Sequence, residues 1–152
     1  MTLTLRRATL ADAPIIVEFN RRLAWESEQL ELVLALITPG VDAVLHDAAK
    51  GFYTVAERDG EVVGQTLITT EWSDWRNGWF WWIQSVYVRD DARRGGVFRA
   101  LFEKLRAEAQ AEPSVIGLRL YVETENERAR KTYRSLNMTD THYGMMEIYP
   151  LG

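Results

Sequence analysis

Cysteine is absent from this 152-residue chain, and histidine occurs only as His46 and His142. The first absence excludes disulfides, thiolate nucleophiles and sulfur-ligated zinc, and the second leaves too few imidazoles for a histidine metal site. No metal is therefore expected. No apolar run reaches the ~18–20 residues that span a bilayer. The opening Met1-Thr2-Leu3-Thr4-Leu5-Arg6-Arg7 has no signal-peptide core, so a soluble cytoplasmic protein without a membrane partner is expected. Positive charge is also short, with 18 Lys and Arg against 22 Asp and Glu and a net charge of −4. Nucleic-acid binding needs a broad basic face, and none is expected here. Chemistry is left to carboxylates, phenols, main-chain amides or a bound cosubstrate.

What is present fits one domain over residues 1–152, long enough to bury most of its apolar surface. Residues 3–7 read as an edge strand, and Thr9 is placed to cap a helix that starts near Ala11 and tolerates Pro14 in its first turn. A second helix is expected over 28–37, broken by Pro39-Gly40, with a short helix over 41–49. Asp59-Gly60 lies between two apolar segments, 52–56 and 62–68, as a hairpin turn. A long strand follows Gly78, and then a helix that Pro113 ends. A strand over 115–122, a helix from Asn126 and a closing strand over 143–149 complete an α+β order with a mixed sheet.

Positive charge concentrates in one place, with Arg89, Arg93, Arg94 and Arg99 flanking Gly95 and Gly96 between the strand that ends Val86-Tyr87-Val88 and the helix that begins Val97-Phe98. The first N–H groups of a helix point outward, the macrodipole adds partial positive charge, and glycine lets a ligand approach the main chain, so this turn is suited to phosphate. Phe98, Leu101, Phe102, Leu105 and Ala109 recur at helical spacing, which turns Phe98 toward the core. Further on, Asn126, Ala129, Tyr133 and Leu136 fall on a helix that places 129, 133 and 136 on one face, and Asn137 suits a left-handed C-terminal cap.

Two motifs in this order, Arg93-x-x-Gly96-x-Phe98 and Asn126-x-x-Ala129-x-x-x-Tyr133 followed by Leu136-Asn137-Met138, resemble the signatures of the GNAT superfamily of N-acyltransferases. The first departs from the family pattern at Phe98, where Gly or Ala is usual, and the second at Asn137, where Gly is usual. The resemblance covers nearly the whole chain and implies a mixed, mostly antiparallel sheet of six to seven strands with about four helices. It implies acetyl-CoA as acyl donor, held by Val86, Tyr87, Val88, Arg93, Arg94, Gly95, Gly96, Val97, Phe98, Arg99 and Asn126. Tyr133 is then the group that protonates the departing thiolate. The implied activity is transfer of an acetyl group to a primary amine of a small molecule by direct attack in a ternary complex. A protein N-terminal or lysine acetyltransferase and a non-catalytic acyl-CoA-binding module are the alternatives.

The acceptor side is less defined. Gln84 stands where many family members carry a glutamate, and glutamine takes no proton. It is left to orient the acceptor or a water, with Glu71, Asp74, Glu123 or Glu28 as the relay. Five of the six tryptophans fall at 72, 75, 79, 81 and 82. Trp72 and Trp75 alternate with Glu71 and Asp74, an arrangement that attracts an organic cation and forms an amine-binding wall, or else an aromatic edge that pairs two subunits in a homodimer.

Overall fold

The computed structural model describes residues 2–152, which divide into two compact units, 2–120 and 121–152. The first unit carries β1 (Leu3–Arg7), α1 (Ala13–Glu28), α2 (Leu34–His46), β2 (Phe52–Arg58), β3 (Glu61–Ser73), β4 (Gly78–Val88), α3 (Val97–Ala111) and β5 (Val115–Leu120). The second carries α4 (Glu127–Ser135). The strands form one sheet in the order β1-β2-β3-β4-β5, antiparallel except for the parallel β4–β5 pair. The α+β class, the mixed sheet and the four helices agree with expectation. The strand number does not: the sheet has five strands, and residues 139–152, which include the expected closing strand 143–149, form neither strand nor helix.

Local chemistry explains most boundaries. Asp59 and Gly60 take φ of 52° and 80°, the left-handed pair that a two-residue hairpin with the native strand twist demands. A single 3-10 turn over Leu10–Asp12 precedes α1, and the Asp12 carboxylate accepts the Thr9 N–H at 2.7 Å. The Arg6 guanidinium joins Asp12 at 2.8 Å and Glu57 at 2.7 Å, tying β1, β2 and the start of α1 together. That hydrogen bond from Arg6 holds the buried Asp12 carboxyl below its ordinary value against the cost of burial. The expected break at Pro39-Gly40 does not occur, because α2 runs through both residues. Proline removes the N–H that would bond Ala35, but residues 34–36 and 38–40 face solvent, where water serves the orphaned carbonyl.

Both faces of the sheet are covered. Ile16, Val41 and Tyr53 form a buried cluster with α1 and α2, while Ala56, Val63, Val97 and Leu101 form another beneath α3. α3 rests on β3 at Gly64, where a Cβ would stand 2.9 Å from Val97 Cγ1 and 3.3 Å from the Tyr87 carbonyl oxygen. Among the described residues, no helix is long and apolar enough to cross a membrane.

Candidate functional site

β4 changes partner along its length. Its first half pairs with β5, from Trp79 opposite Val115 to Ile83 opposite Leu120, and the pairing ends there. On the other side β4 continues along β3 to Val88, with a register shift that leaves Gln84 as the extra residue between Ile83 and Ser85. This bulge had no sequence signal. It adds local twist, and past it Ser85 to Val88 have a neighbour on one side only. The Arg89 N–H donates to the Val63 carbonyl at 2.8 Å. By the two-residue alternation of an antiparallel ladder, the main-chain groups of Val86 and Val88 therefore point to the open side.

Arg93 takes one of those groups, since its Nε donates to the Val88 carbonyl at 2.9 Å. Its other nitrogens reach Glu26 at 2.7 Å and Asp90 at 3.2 Å. Glu26, on the last turn of α1, also accepts the Tyr87 hydroxyl at 2.6 Å. Tyr87 is 4 % exposed and packs against Phe19 at 5.1 Å between ring centroids. The Tyr87 hydrogen bond, followed by Arg93, holds the Glu26 carboxyl below its ordinary value; burial, and then Glu26 itself, hold the Tyr87 phenol above its own. Arg93 is thus a latch between the turn and α1. Sequence reasoning missed Glu26, because nothing local marks a solvent-side glutamate at a helix end as the partner of a tyrosine 61 residues away.

The rest of the turn is differently disposed. Arg94 has φ of 67° and Gly96 has φ of 79°, and Gly96 stands at the N-cap of α3 with no side chain to occupy the helix start. Val97 is 1 % exposed, so it offers its main chain while its side chain belongs to the core. Phe98 is only partly buried, packed against Phe102 with ring centroids 6.2 Å apart, short of the core position that the helical stripe predicted. Arg94 and Arg99 are exposed without an ion-pair partner among the described residues, whereas Arg89 is spent on Asp91 at 2.6 Å and Glu61 at 3.1 Å. A third guanidinium without an ion-pair partner among the described residues comes from Arg58 at the end of β2: a Cβ on Gly95 would lie 3.3 Å from it. The positive charge open to a ligand is therefore Arg58, Arg94 and Arg99, and no motif could have assigned Arg58 to this turn.

Ser85 Oγ, both amide atoms of Gln65 and Thr66 Oγ1 are buried without a hydrogen-bond partner among the described residues. Gln65 lies opposite Tyr87 and Thr66 opposite Val86. Native interiors seldom leave such groups unpaired, and here they gather where β4 leaves β5. An open strand edge, an uncapped helix start and three unpaired guanidiniums fit a linear, amide-bearing, polyphosphorylated molecule.

On the acceptor side, Gln84 is exposed and donates its Nε2 to Thr69 Oγ1 at 2.8 Å, which leaves its carbonyl oxygen as an acceptor. Glu71 accepts Trp82 Nε1 at 2.8 Å and Arg119 at 3.2 Å. Asp74 and Trp75 lie in the turn that joins β3 to β4, with Asp74 accepting the Trp75 N–H at 2.9 Å. Trp75 is 88 % exposed, and Trp72 stacks edge-on to Trp79 at 5.0 Å. Trp72 is held against Trp79 at the end of β3, while Trp75 stands out from the turn, so the two rings of the expected wall belong to different parts of the hairpin. Glu28 is exposed at the end of α1. A cavity of about 290 Å³ lies instead beside the α1–α2 connection, lined by Arg21, Trp25, Leu30, Glu31 and Leu32. No cluster of metal-ligating side chains occurs among the described residues.

In the second unit, Asn126 caps α4, its side-chain oxygen accepting the Ala129 N–H at 3.0 Å. That oxygen is committed to the helix, so only its amide nitrogen is left for another ligand. Asn137 takes φ of 70°, the left-handed cap its position asks for. Tyr133 is half-buried, and burial raises its phenol above the ordinary value. Glu123 is exposed.

No curated protein sequence matches the chain. Solved structures do. A possible acetyltransferase from Clostridium difficile 630 is 43% identical over 100% of both chains, with a TM-score of 0.94. The ribosomal-protein-alanine N-acetyltransferase of Brucella melitensis biovar Abortus 2308 shares the fold at 20% identity, over 97% of this chain and 98% of that one, with a TM-score of 0.75. An aminoglycoside N-acetyltransferase solved in complex with CoA shares it at 12% identity, over 98% and 95%, with a TM-score of 0.80. The sequence profile of the Acetyltransferase (GNAT) family matches residues 15–138, a span that takes in the β4 opening, the glycine turn and the Tyr133 helix, and the chain belongs to that family.

Proposed function

We propose that the protein is an acetyl-CoA-dependent N-acetyltransferase acting on a primary amine of a small molecule. The observation that carries the reading is the open edge of β4 beside an uncapped helix start and the unpaired Arg58, Arg94 and Arg99. Acetyl-CoA, the acyl donor of the family, supplies an activated thioester carbonyl when bound. The main-chain groups of Val86 and the Val88 N–H are the free hydrogen-bonding groups along the open edge and would hold its amides. The turn 94–99 and the three guanidiniums would hold its phosphates.

Transfer forms a C–N bond and breaks a C–S bond. The amine nitrogen loses a proton and the leaving sulfur gains one. Tyr133 is assigned the second proton, because its raised phenol stays protonated at neutral pH and remains a donor. Gln84 itself takes no proton; its free carbonyl oxygen orients the amine N–H, and the proton goes to water. The acceptor is assigned to the cavity beside α1, where Trp25 offers an aromatic face and Glu31 a carboxylate to a cation. Its volume of about 290 Å³ suits a small molecule. Gln84, together with Phe98 in the turn, also favours a binding module without turnover.

The test is a screen of small amines with acetyl-CoA, read as released thiol. The protein has no cysteine to contribute background. Turnover with a small amine is expected. Tight CoA binding by calorimetry with no turnover across amines and peptides would assign the chain to the binding modules, and absence of CoA binding would overturn the reading entirely.

A further inference from the structure

The cavity beside the α1–α2 connection holds two opposite charges that do not meet. Arg21 and Glu31 both line it, yet no ion pair or hydrogen bond joins them among the described residues. Arg21 is tied at one corner only: its Nη1 donates to Glu18 at 3.3 Å. Glu18 also accepts Arg22 Nε at 3.2 Å, so two guanidiniums share one carboxylate and a net positive charge is left over. The Nε–Nη2 edge of Arg21 has no partner among the described residues. That edge is a planar fork of two donors, the geometry that takes a carboxylate bidentately. The remaining walls are apolar: Trp25 is 58% exposed, Leu30 is 51% exposed and Leu32 is half-buried.

We propose that the acceptor is a free amino acid with an apolar side chain, its carboxylate on the Arg21 fork, its ammonium toward Glu31 and its side chain against Trp25, Leu30 and Leu32. This names the substrate class of the site assigned above and rests on that assignment. A zwitterion uses both charges of the cavity, whereas a simple alkylamine or a peptide N-terminus brings no carboxylate for the fork. A polyamine or an aminoglycoside fits worse. Its further ammonium groups would be desolvated against leucines and Arg21, with no second carboxylate in the lining to receive them. The volume of about 290 Å³ lies at the lower end of the ~300–1,000 Å³ range of ligand pockets, which suits a single amino acid. In the transfer, the ammonium nitrogen gives up one proton to water before attack and another after it. The C–N bond forms as the C–S bond breaks, and the sulfur takes its proton from Tyr133, which water restores. The product nitrogen is a neutral amide, so its attraction to Glu31 ends with the reaction.

The test is steady-state acetyl transfer to L-phenylalanine, L-phenylalaninamide, phenethylamine and spermidine. kcat/KM is expected to be highest for phenylalanine, ~10-fold or more above the amide and phenethylamine, which lack the carboxylate. Arg21→Gln is expected to raise KM for phenylalanine ~10-fold and bring it level with the amide, and Arg21→Lys to recover only part of the loss, since lysine has no fork. Glu18 keeps Arg22 in either variant, and an exposed pair of this kind contributes little to stability, so the fold is retained. Glu31→Gln is expected to raise KM for phenylalanine and phenethylamine alike. Phenethylamine or spermidine used as well as phenylalanine, or an unchanged KM for phenylalanine in Arg21→Gln, would overturn the proposal. Binding of phenylalanine in the presence of CoA, followed by NMR, separates it from the reading it rests on. If no amine is acetylated, phenylalanine held by the wild type and ~10-fold more weakly by Arg21→Gln still supports the site, and no binding overturns it.

Discussion

Replacing Glu26 with alanine tests whether the latch between α1 and the phosphate-type turn holds the first unit together. Glu26 and Arg93 have side chains 42% and 41% exposed, so their ion pair at 2.7 Å is worth only ~0.2–1 kcal/mol. The larger loss is at Tyr87, whose hydroxyl is delivered to Glu26 at 2.6 Å by a residue 4 % exposed. A buried donor left unpaired costs ~1–3 kcal/mol. Together the substitution costs roughly 2–3 kcal/mol, which for a domain of this size lowers Tm by about 4–12 °C. Glu26→Gln keeps an acceptor for the hydroxyl and is expected to cost about 1 kcal/mol or less. The sign of the pH dependence follows from the lowered Glu26 carboxyl. Its contribution is complete above the ordinary glutamate value of ~4.3 and is lost as pH falls through the lower folded value, so the wild-type advantage over Glu26→Gln shrinks below about pH 4. Urea unfolding of Glu26→Ala, Tyr87→Phe and the double variant measures the coupling directly. If the two single effects add to within ~0.3 kcal/mol, the two side chains are not coupled and the reasoning fails.

Removing Arg94 or Arg99, each without an ion-pair partner among the described residues, is expected to weaken CoA binding ~5–10-fold in calorimetry, with the loss diminishing at high salt. Removing Arg58 is expected to do the same, and unaltered affinity would separate it from the turn. Tyr133→Phe should lower kcat ~10²-fold with CoA affinity unchanged, and an unchanged kcat would leave the tyrosine a packing role. With no base at Gln84, kcat/KM for an alkylamine should climb about tenfold per pH unit toward the amine's own value near ~10.4, and a plateau near pH 7 would reveal a base. Gly64→Ala drives a Cβ to 2.9 Å from Val97 and 3.3 Å from the Tyr87 carbonyl oxygen, and unfolding should record a loss of ~1–3 kcal/mol.

The features legible in the sequence are those specified by neighbours along the chain. Asp59-Gly60 needs no distant residue to become a left-handed turn, nor does Asn137 to become a helix cap, and both adopt those conformations. The apolar stripe of α3 was equally local, with Leu101, Phe102, Leu105 and Ala109 all buried. The errors occur where a long-range fact overrides a local preference. Pro39-Gly40 is a sound breaking signal, but the lost hydrogen bond faces water, and α2 is held by Val41 in a core that local pattern cannot register.

The site divides in the same way. Its order, an apolar strand followed by arginines, glycines and a helix, was plain in the sequence, but the allotment of charge was not. Arg93, the most motif-like of the arginines, is bound to Glu26, Asp90 and the Val88 carbonyl. Arg58, with no motif, approaches the turn because β2 delivers its last residue beside Gly95. Arginine is worth more to an incoming phosphate when no carboxylate already holds it, since an existing ion pair must be loosened before a new one forms. Which guanidinium binds and which supports is therefore decided by strand register and by the length of α1, two quantities fixed only when the sheet assembles. The 143–149 segment makes the same point from the other direction: its strand-like pattern is real, but no pairing partner for it is found among the strands of this sheet.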